Sequence, residues 1–259
     1  MIKLFRKIRQ NLIMENKTSR YFKYAIGEII LVVIGILIAL QINTWNTNRI
    51  NKTKEQEYLV GLKNDLESQI ASFNGRLQIF DLMIDKAETI IFKFSIAGKM
   101  TQIDSINDRL NFMIYTLDYP EAKTTFNELN TTGQINLIRN KLIRSKIISY
   151  YQYSEETKSQ VSNNVEQVYY DQVFPIIKAS VIINPEGLGF PLEKIDHELL
   201  KSRLNSTFEN NLNDPIKEFE IVNAVSLHLI EMKTNKEFII LAKNAAEALL
   251  KDINAEVNK

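Results

Sequence analysis

The stretch YAIGEIILVVIGILIALQINTW, residues 24–45, decides the fold of this 259-residue chain. Its centre, residues 29–40, is an uninterrupted apolar run, and the whole stretch contains no basic residue. At a helical rise of about 1.5 Å per residue it is about 32 Å long, which matches the ~30 Å hydrocarbon thickness of a bilayer. We therefore predict one transmembrane helix over residues 24–45.

The charges on the two sides of this stretch predict its orientation. Seven basic residues and one acidic residue precede Tyr24, whereas only three basic residues separate Trp45 from the first following acid, Glu55. An excess of Lys and Arg marks the cytoplasmic side of a span, and Tyr and Trp favour the two interfaces. We therefore expect residues 1–23 in the cytoplasm and residues 46–259 outside it.

A cleaved export signal is the alternative interpretation of a basic start followed by an apolar run. The arm before the run is long, the run has the length of a full span, and Gln41-Ile42-Asn43 lacks the small residues of a cleavage site. These features favour an uncleaved signal-anchor. No second comparable stretch follows, which predicts a single-pass protein of the inner membrane.

One face of the predicted span carries Glu28, Gly35 and Ala39, if successive residues are placed 100° apart. Gly35 and Ala39 form a small-xxx-small pattern, which lets two membrane helices approach closely. A carboxylate within a span usually faces protein or water. These three residues are the candidate helix-contact site. The alternative is that Glu28, only about 6 Å in from Tyr24, reaches the headgroups or is protonated.

The first fourteen residues, MIKLFRKIRQNLIM, are predicted to form a basic amphipathic helix. Such a helix would lie on the inner leaflet, where anionic lipids attract it. The predicted partners of the arm and the span are therefore membrane lipids. Docking of the arm to a cytoplasmic partner is the alternative.

The composition excludes several classes of function. The chain has no cysteine, which excludes disulfides and thiolate metal sites. Beyond the span it has 25 basic residues and 29 acidic ones, so no basic face for nucleic acid is predicted. Eight Gly and five Pro, with few alternating apolar runs, indicate an all-α protein.

A long helix is predicted after the span, because apolar residues recur with spacings of 3 and 4 and a mean period of 3.5. That period is typical of a coiled-coil-like seam. The seam packs either on later helices of the same chain or on a second copy of it. Its residues are Leu59, Leu62, Leu66, Ile70, Phe73, Leu77, Phe80, Ile84, Ala87, Ile91 and Phe94.

Local signals place the next helices. Ala97-Gly98 ends the long helix, and a shorter helix with Ile103, Ile106, Leu110, Met113 and Leu117 on its seam is expected to stop before Pro120. A capping box at Thr125-Phe-Asn-Glu128, a left-handed Gly133 and an N-cap at Asn140 then predict a short helix, a corner and a long helix from about 140 to 173.

The last helix is predicted to begin at Asp214-Pro215 and to run to about Val257. Its expected inward residues start with Ile216, Phe219, Val222 and Val225. Together these segments predict an extended antiparallel helical bundle over residues 46–259, carried by the single N-terminal transmembrane helix.

Few residues suggest chemistry. His228 and Glu231 form an H-x-x-E pair, but the second E-x-x-H half that di-metal bundles need is absent, so a solvated or packed histidine is expected. His197 lies in the predicted first turn of a helix. The tyrosines at 150, 151, 153, 169 and 170 are expected to pack in the core and at its edge. We predict no catalytic residue, cofactor site or metal site.

Residues 24–46 (YAIGEIILVVIGILIALQINTWN) and 125–151 (TFNELNTTGQINLIRNKLIRSKIISYY) resemble domain-of-unknown-function family 6090, an uncharacterised single-pass membrane protein family of the Bacteroidota. The resemblance implies a one-pass anchor with an external helical domain in a Gram-negative envelope. It implies no activity, ligand or catalytic residue.

From these patterns we expect a non-enzymatic interaction or scaffolding protein of the cell envelope, whose partner is a second copy or another envelope protein. The alternative is a periplasmic ligand-sensing domain of the four-helix type. Because residues 1–23 are too short for an output domain, such a sensor would signal through a partner membrane protein.

Overall fold

The computed structural model describes residues 18–186, 189–190, 193 and 196–258. The regular structure of these residues is helical, with no strand, which confirms the all-α prediction. The amphipathic helix predicted over residues 1–14 lies outside the described residues. The chain divides into two compact units, Met1–Glu57 and Tyr58–Lys259.

The helices follow one another in a simple order, with short 3₁₀ turns and one π-helix between them. The α-helices are α1 (Thr18–Ala97), α2 (Ile106–Leu110), α3 (Thr124–Thr131), α4 (Lys141–Asn164), α5 (Phe174–Ser180), α6 (His197–Asn213) and α7 (Pro215–Val257). The 3₁₀ turns are Met100–Gln102, Asn111–Ile114 and Gln134–Leu137, and the π-helix is Val165–Val173.

The core of unit 58–259 forms along one stripe of α1. The predicted seam residues of α1 are buried or half-buried in a hydrophobic cluster, and Met83 and Ile90 join them. This cluster also contains residues of α2 to α7, among them Ile147, Val161 and Ile239. Of the two alternatives for the seam, packing on later helices of the same chain is therefore the one observed.

The short helix predicted to reach Pro120 ends earlier. Helix α2 and the 3₁₀ turn after it stop at Ile114, and residues 115–123 are not helical. The amide of the buried Gln69 holds this segment, because its Nε2 donates to the Pro120 carbonyl oxygen at 2.5 Å and its Oε1 accepts from the Ala122 N–H. One side chain of α1 thus satisfies two backbone groups that a helix would have paired internally.

The predicted capping box of α3 is wrong. Helix α3 starts at Thr124 with Lys123 at the N-cap, whose side chain makes no cap hydrogen bond. The N–H of Thr125 instead donates to Asp65 Oδ2 of α1 at 2.6 Å. A carboxylate from another helix stabilises the positive N-terminal end of α3, a role that the local sequence pattern assigned to Thr125 itself.

The remaining predictions about helix ends are confirmed for the corner and for α7. Gly133 follows α3 with φ +66°, and the Asn140 side chain accepts from the N–H groups of Leu142 and Ile143 at the start of α4. Asp214 caps α7 in the same way, with Pro215 in the first turn.

Two predictions about the long helices after the corner are wrong. The helix expected from about 140 to 173 is an α-helix only to Asn164 and continues as the π-helix, and Pro175 lies in the first turn of α5, where proline is tolerated. Ile216 and Phe219 of α7 are 71% and 66% exposed rather than inward. The buried stripe of α7 starts instead at Ile221. Stripes displaced around a helix have the same period, so periodicity alone does not show which of them is buried.

Close packing of α1 against α3 depends on Gly61. A Cβ atom at this position would lie 2.8 Å from both Oγ1 and Cγ2 of Thr125, whereas a Cβ at Gly75 on the same helix would meet no atom within 4 Å. A glycine in a helix costs about 1 kcal/mol relative to alanine, so Gly61 lies in α1 against local helix propensity.

We predict that Gly61→Ala lowers the free energy of unfolding by about 1–3 kcal/mol, because overpacking exceeds the gain in helix propensity. Gly75→Ala is the matched control and should leave stability unchanged or raise it by up to about 1 kcal/mol. Thermal unfolding of the full chain in detergent, followed by far-UV circular dichroism, measures both. The double variant Gly61→Ala/Thr125→Ala should recover the loss, and equal destabilisation by both alanines would contradict the packing argument.

Candidate functional site

The three residues predicted as a helix-contact site lie on α1, within unit 1–57. Glu28 is half-buried, whereas Gly35 and Ala39 are exposed. At 100° per residue their Cα positions fall within an arc of about 40°. A Cβ atom at Gly35 would meet nothing within 4 Å. The face is therefore open to a second helix at Gly35 and Ala39, and its use as a contact stays a prediction.

The apolar run around this face is exposed on every side. The ten large apolar side chains between residues 29 and 40 are each 47–66% exposed. This part of α1 is long and apolar enough to cross a membrane, with a mean hydropathy of 2.6 in its most apolar window and none of that window buried in the protein. Soluble proteins rarely leave so large a continuous apolar surface uncovered.

Polar and aromatic residues mark the C-terminal end of the apolar run. The guanidinium of Arg49 lies 5.8 Å from the centre of the exposed Trp45 ring, and its Nη2 donates to Asn46 Oδ1 at 3.3 Å. A cation over an indole ring is an attractive pair. An amphipathic tryptophan with a basic neighbour is typical of a residue at the headgroup level of a bilayer.

Residues 28–154 match a family of unknown function, DUF6090. The matched segment begins within the predicted span and ends inside α4. It includes most of the first stretch on which the resemblance was based and all of the second, so it supports that family for this chain. No curated protein and no solved structure matches the chain.

Within unit 58–259, the part of α1 matched by DUF6090 presents a row of residues to the corner segment 120–134. Tyr58, Gly61, Asp65 and Gln69 follow one another at spacings of 3, 4 and 4 and so share one helix face. The Tyr58 hydroxyl lies 2.9 Å from Glu128 Oε1 and 2.8 Å from Gln134 Oε1. These contacts hold α3 and the segments on either side of it against α1 by polar groups.

A second cluster of polar side chains lies in the core, and all of its members except Thr116 lie beyond the residues matched by the family. Glu231, buried in α7, accepts from Asn235 Nδ2 at 2.5 Å through Oε1, and its Oε2 lies 3.1 Å from His228 Nδ1. Asn164 Nδ2, at the end of α4, donates to Asn235 Oδ1 at 2.8 Å. Thr116 Oγ1 lies 3.5 Å from Glu231 Oε1. The carboxylate therefore contacts groups of α7 itself and Thr116 of the non-helical segment 115–123, and Asn164 of α4 joins the cluster through Asn235.

His228 is packed in the core, which is one of the two arrangements, solvated or packed, that were expected for it. Its ring is fully buried, with ring centres 5.1 Å from Tyr169 and 6.5 Å from Phe112. The Tyr169 hydroxyl donates to the Met113 carbonyl oxygen at 3.0 Å, and burial raises the pKa of that hydroxyl. His228 Nε2 is buried without a hydrogen-bond partner among the described residues. In the same part of the chain, no group of three His, Cys, Asp or Glu side chains is placed to hold a metal ion.

The sequence pattern identified only His228 and Glu231 of this cluster. The H-x-x-E spacing brought His228 and Glu231 together, but nothing marked Asn164 or Asn235 as their neighbours. A usable signal exists for Asn235: it follows His228 by seven residues, so it continues the buried stripe of α7 with a polar residue. Asn164 gives no such signal, because only tertiary packing brings α4 to this point.

Three surface clefts accompany these features. An apolar cleft of about 350 Å³ lies at the end of α5 and along α6, lined by Ile183, Leu200, Leu204 and Phe208 among others. A mixed cleft of about 350 Å³ lies between α3 and α4, beside Phe126 and Tyr151, whose rings stack with centres 4.0 Å apart. A polar cleft of about 290 Å³ lies between α1 and α2.

We predict that Glu231→Ala lowers the free energy of unfolding by roughly 2–4 kcal/mol, because it leaves buried groups of His228 and Asn235 without a partner and opens a cavity. Glu237→Ala removes an exposed carboxylate from the same helix and should change stability by less than about 0.5 kcal/mol. Thermal unfolding of the full chain compares the two. Equal effects would show that the buried hydrogen bonds contribute no net stability.

Proposed function

We propose that this chain is a single-pass protein of the inner membrane, anchored through residues 24–45, with its N-terminus in the cytoplasm and residues 46–259 in the periplasm. The exposed apolar run of α1 supports the span. The seven basic residues before Tyr24 and the Trp45–Arg49 pair at the other end support its orientation and depth. An uncleaved signal-anchor of this kind is what the DUF6090 resemblance implies for a Gram-negative envelope of the Bacteroidota.

The role we propose is a non-enzymatic interaction or scaffolding function of the envelope. The exposed small residues Gly35 and Ala39, on the face that also carries Glu28, carry this proposal, because small residues on an otherwise bulky helix favour close contact with another helix. The fully buried His228 supports it as well. It packs in the core with Glu231 instead of lining one of the clefts, so this pair serves the fold.

The partner of the span is a second copy of the chain or another envelope protein. A second copy anchored in the same membrane has the same orientation, so the face of one span would meet the same face of its partner. The basic arm, residues 1–23, would bind anionic lipids of the inner leaflet.

Topology is tested by fusing a reporter to the C-terminus. We expect alkaline phosphatase, which is active only outside the cytoplasm, to be active in this fusion, and a fluorescent protein that folds only in the cytoplasm to stay dark. Replacing three basic residues of the arm by glutamine should reduce the phosphatase signal. A fusion that is active only in the cytoplasm would contradict the proposed orientation.

Association through the span is tested by cysteine crosslinking, which is clean because the chain has no native cysteine. Ala39→Cys, on the candidate face, should form a disulfide-linked dimer in membranes. Leu37→Cys, at nearly the same depth on the opposite side, is the control and should not. Adding Gly35→Ile should suppress the Ala39→Cys dimer, whereas Gly27→Ile, about 100° away from Glu28, should not.

Two outcomes of this experiment are informative. Equal crosslinking from Ala39→Cys and Leu37→Cys would contradict a specific face. Capture of another membrane protein by Ala39→Cys, lost with Gly35→Ile and retained with Gly27→Ile, would assign the face to a hetero-partner instead of a second copy.

A second candidate function is ligand sensing by the periplasmic unit, with the signal passed to a partner membrane protein through the Glu28 face. The clefts of about 290–350 Å³ in unit 58–259 favour it, because they are close to the smallest pockets that bind small molecules. Ligand-dependent change in the crosslinking yield of Ala39→Cys would distinguish a sensor from a scaffold.

A further inference from the structure

The cleft between α1 and α2 is lined only by polar side chains. They are Asp85, Lys86 and Thr89 of α1 and Asp108 and Arg109 of α2. Its volume of about 290 Å³ is at the lower end of the ~300–1,000 Å³ range of small-molecule sites. Two carboxylates and two cations face one small space, so the lining is electrically balanced. A ligand that carries both signs of charge suits such a lining.

Arg109 is held in place from outside the cleft. Its Nε donates to the Asp104 carbonyl oxygen at 2.8 Å and its Nη2 to Asp104 Oδ2 at 2.7 Å. Lys93 Nζ also donates to Asp104, at 2.8 Å, and these two cations, Lys93 first, lower the pKa of Asp104 to about 2. Asp104 therefore stays ionised. The guanidinium is fixed along one edge, and its Nη1 forms no hydrogen bond to a described residue.

The other charges of the cleft differ in how far they are already paired. Lys86 Nζ lies 5.8 Å from the centre of the Phe112 ring, which positions the ammonium without neutralising it. No described residue forms an ion pair or hydrogen bond with Lys86 Nζ or with the Asp85 carboxylate. Asp108 is different, because Lys201 lies 3.5 Å from its Oδ2. Among the described residues the cleft thus retains the Asp85 carboxylate, the Lys86 ammonium and the Nη1 edge of Arg109, whose charge is shared with Asp104, for a ligand.

We propose that this cleft binds a free α-amino acid. The carboxylate of the ligand is bound by Arg109 Nη1 and Lys86, and its ammonium group is bound by Asp85. A guanidinium edge and a carboxylate form strong, directional hydrogen bonds. A purely anionic ligand would leave Asp85 close to a like charge, and a purely cationic one would do the same to Lys86 and Arg109. This inference is independent of whether the span associates with another helix.

The test is isothermal titration calorimetry of the full chain in detergent micelles, with each of the standard amino acids as the free ligand in turn. We expect at least one of them to bind with one-to-one stoichiometry. Asp85→Asn and Lys86→Met should each weaken binding roughly tenfold or more, because each removes one charge contact. Lys86→Met keeps an apolar stem over Phe112, so the surrounding packing is retained.

Matched controls separate this site from general surface charge. Asp171→Asn and Arg203→Gln remove exposed charges outside the cleft and should leave the affinity unchanged. Circular dichroism and thermal unfolding show whether each variant is folded. Acetate and methylamine, which carry one charge each, should compete only weakly.

Three results would overturn the proposal. The first is the absence of binding by any amino acid. The second is binding that Asp85→Asn and Lys86→Met leave intact. The third is that acetate alone binds as strongly as the amino acid does. That result would show a simple anion site at Lys86 and Arg109.

Discussion

The structure depends first on the fact that one continuous helix, α1, has two kinds of surface. Between residues 29 and 40 it is apolar on every side, and between Leu59 and Ile90 it is apolar along one stripe. Each fully exposed Leu or Ile side chain lacks the stabilisation of about 1.5–3 kcal/mol that full burial would give. Ten half-exposed ones together forgo an amount comparable with the ~5–15 kcal/mol net stability of a whole domain. A bilayer would supply that burial, and a helix is suited to it because its backbone hydrogen bonds are internal.

Within unit 58–259 the seam of the same helix forms part of the core that the later helices share. Its seam supplies the apolar burial, and polar side chains beside the seam hold segments that are not helical. Gln69 pairs with backbone groups of the extended segment 115–123, and Asp65 caps α3. Gly61 brings α1 and α3 into contact. Apolar burial thus stabilises the bundle, while these polar contacts determine the path of the chain between its helices.

The buried cluster of His228, Glu231, Asn235 and Asn164 has a comparable effect at the centre of the bundle. A buried carboxylate is costly unless its lone pairs are used, and here both of its oxygens contact neighbouring polar groups. Hydrogen bonds are directional, so this cluster favours one register of α7 against α4 over the displaced registers that apolar side chains alone would tolerate. It lies just before the π-helix, where the regular α-helical path of the chain changes.

Much of this organisation follows from sequence because the signals are local. The length of the apolar run and the 3.5-residue period of the seam predicted the helices, and the caps at Asn140 and Asp214 and the turn at Gly133 predicted where helices begin and end. Each of these depends on residues a few positions apart. The face of Glu28, Gly35 and Ala39 was also defined by spacing, and α1 places these residues on one side of a helix, as that spacing requires.

The errors arise where a distant group replaces the local one. Thr125 does not cap α3 because Asp65 does, and the helix before Pro120 ends early because Gln69 pairs with the extended backbone. Ile216 and Phe219 share their period with the stripe that is buried, so periodicity cannot distinguish the two faces of α7. The sequence by itself determined that the chain is helical and has one span-length apolar helix, since both depend on neighbours within a few turns. Only the tertiary structure decided which faces are buried and which polar groups meet, because those outcomes depend on residues 50 to 150 positions apart competing for the same hydrogen bonds.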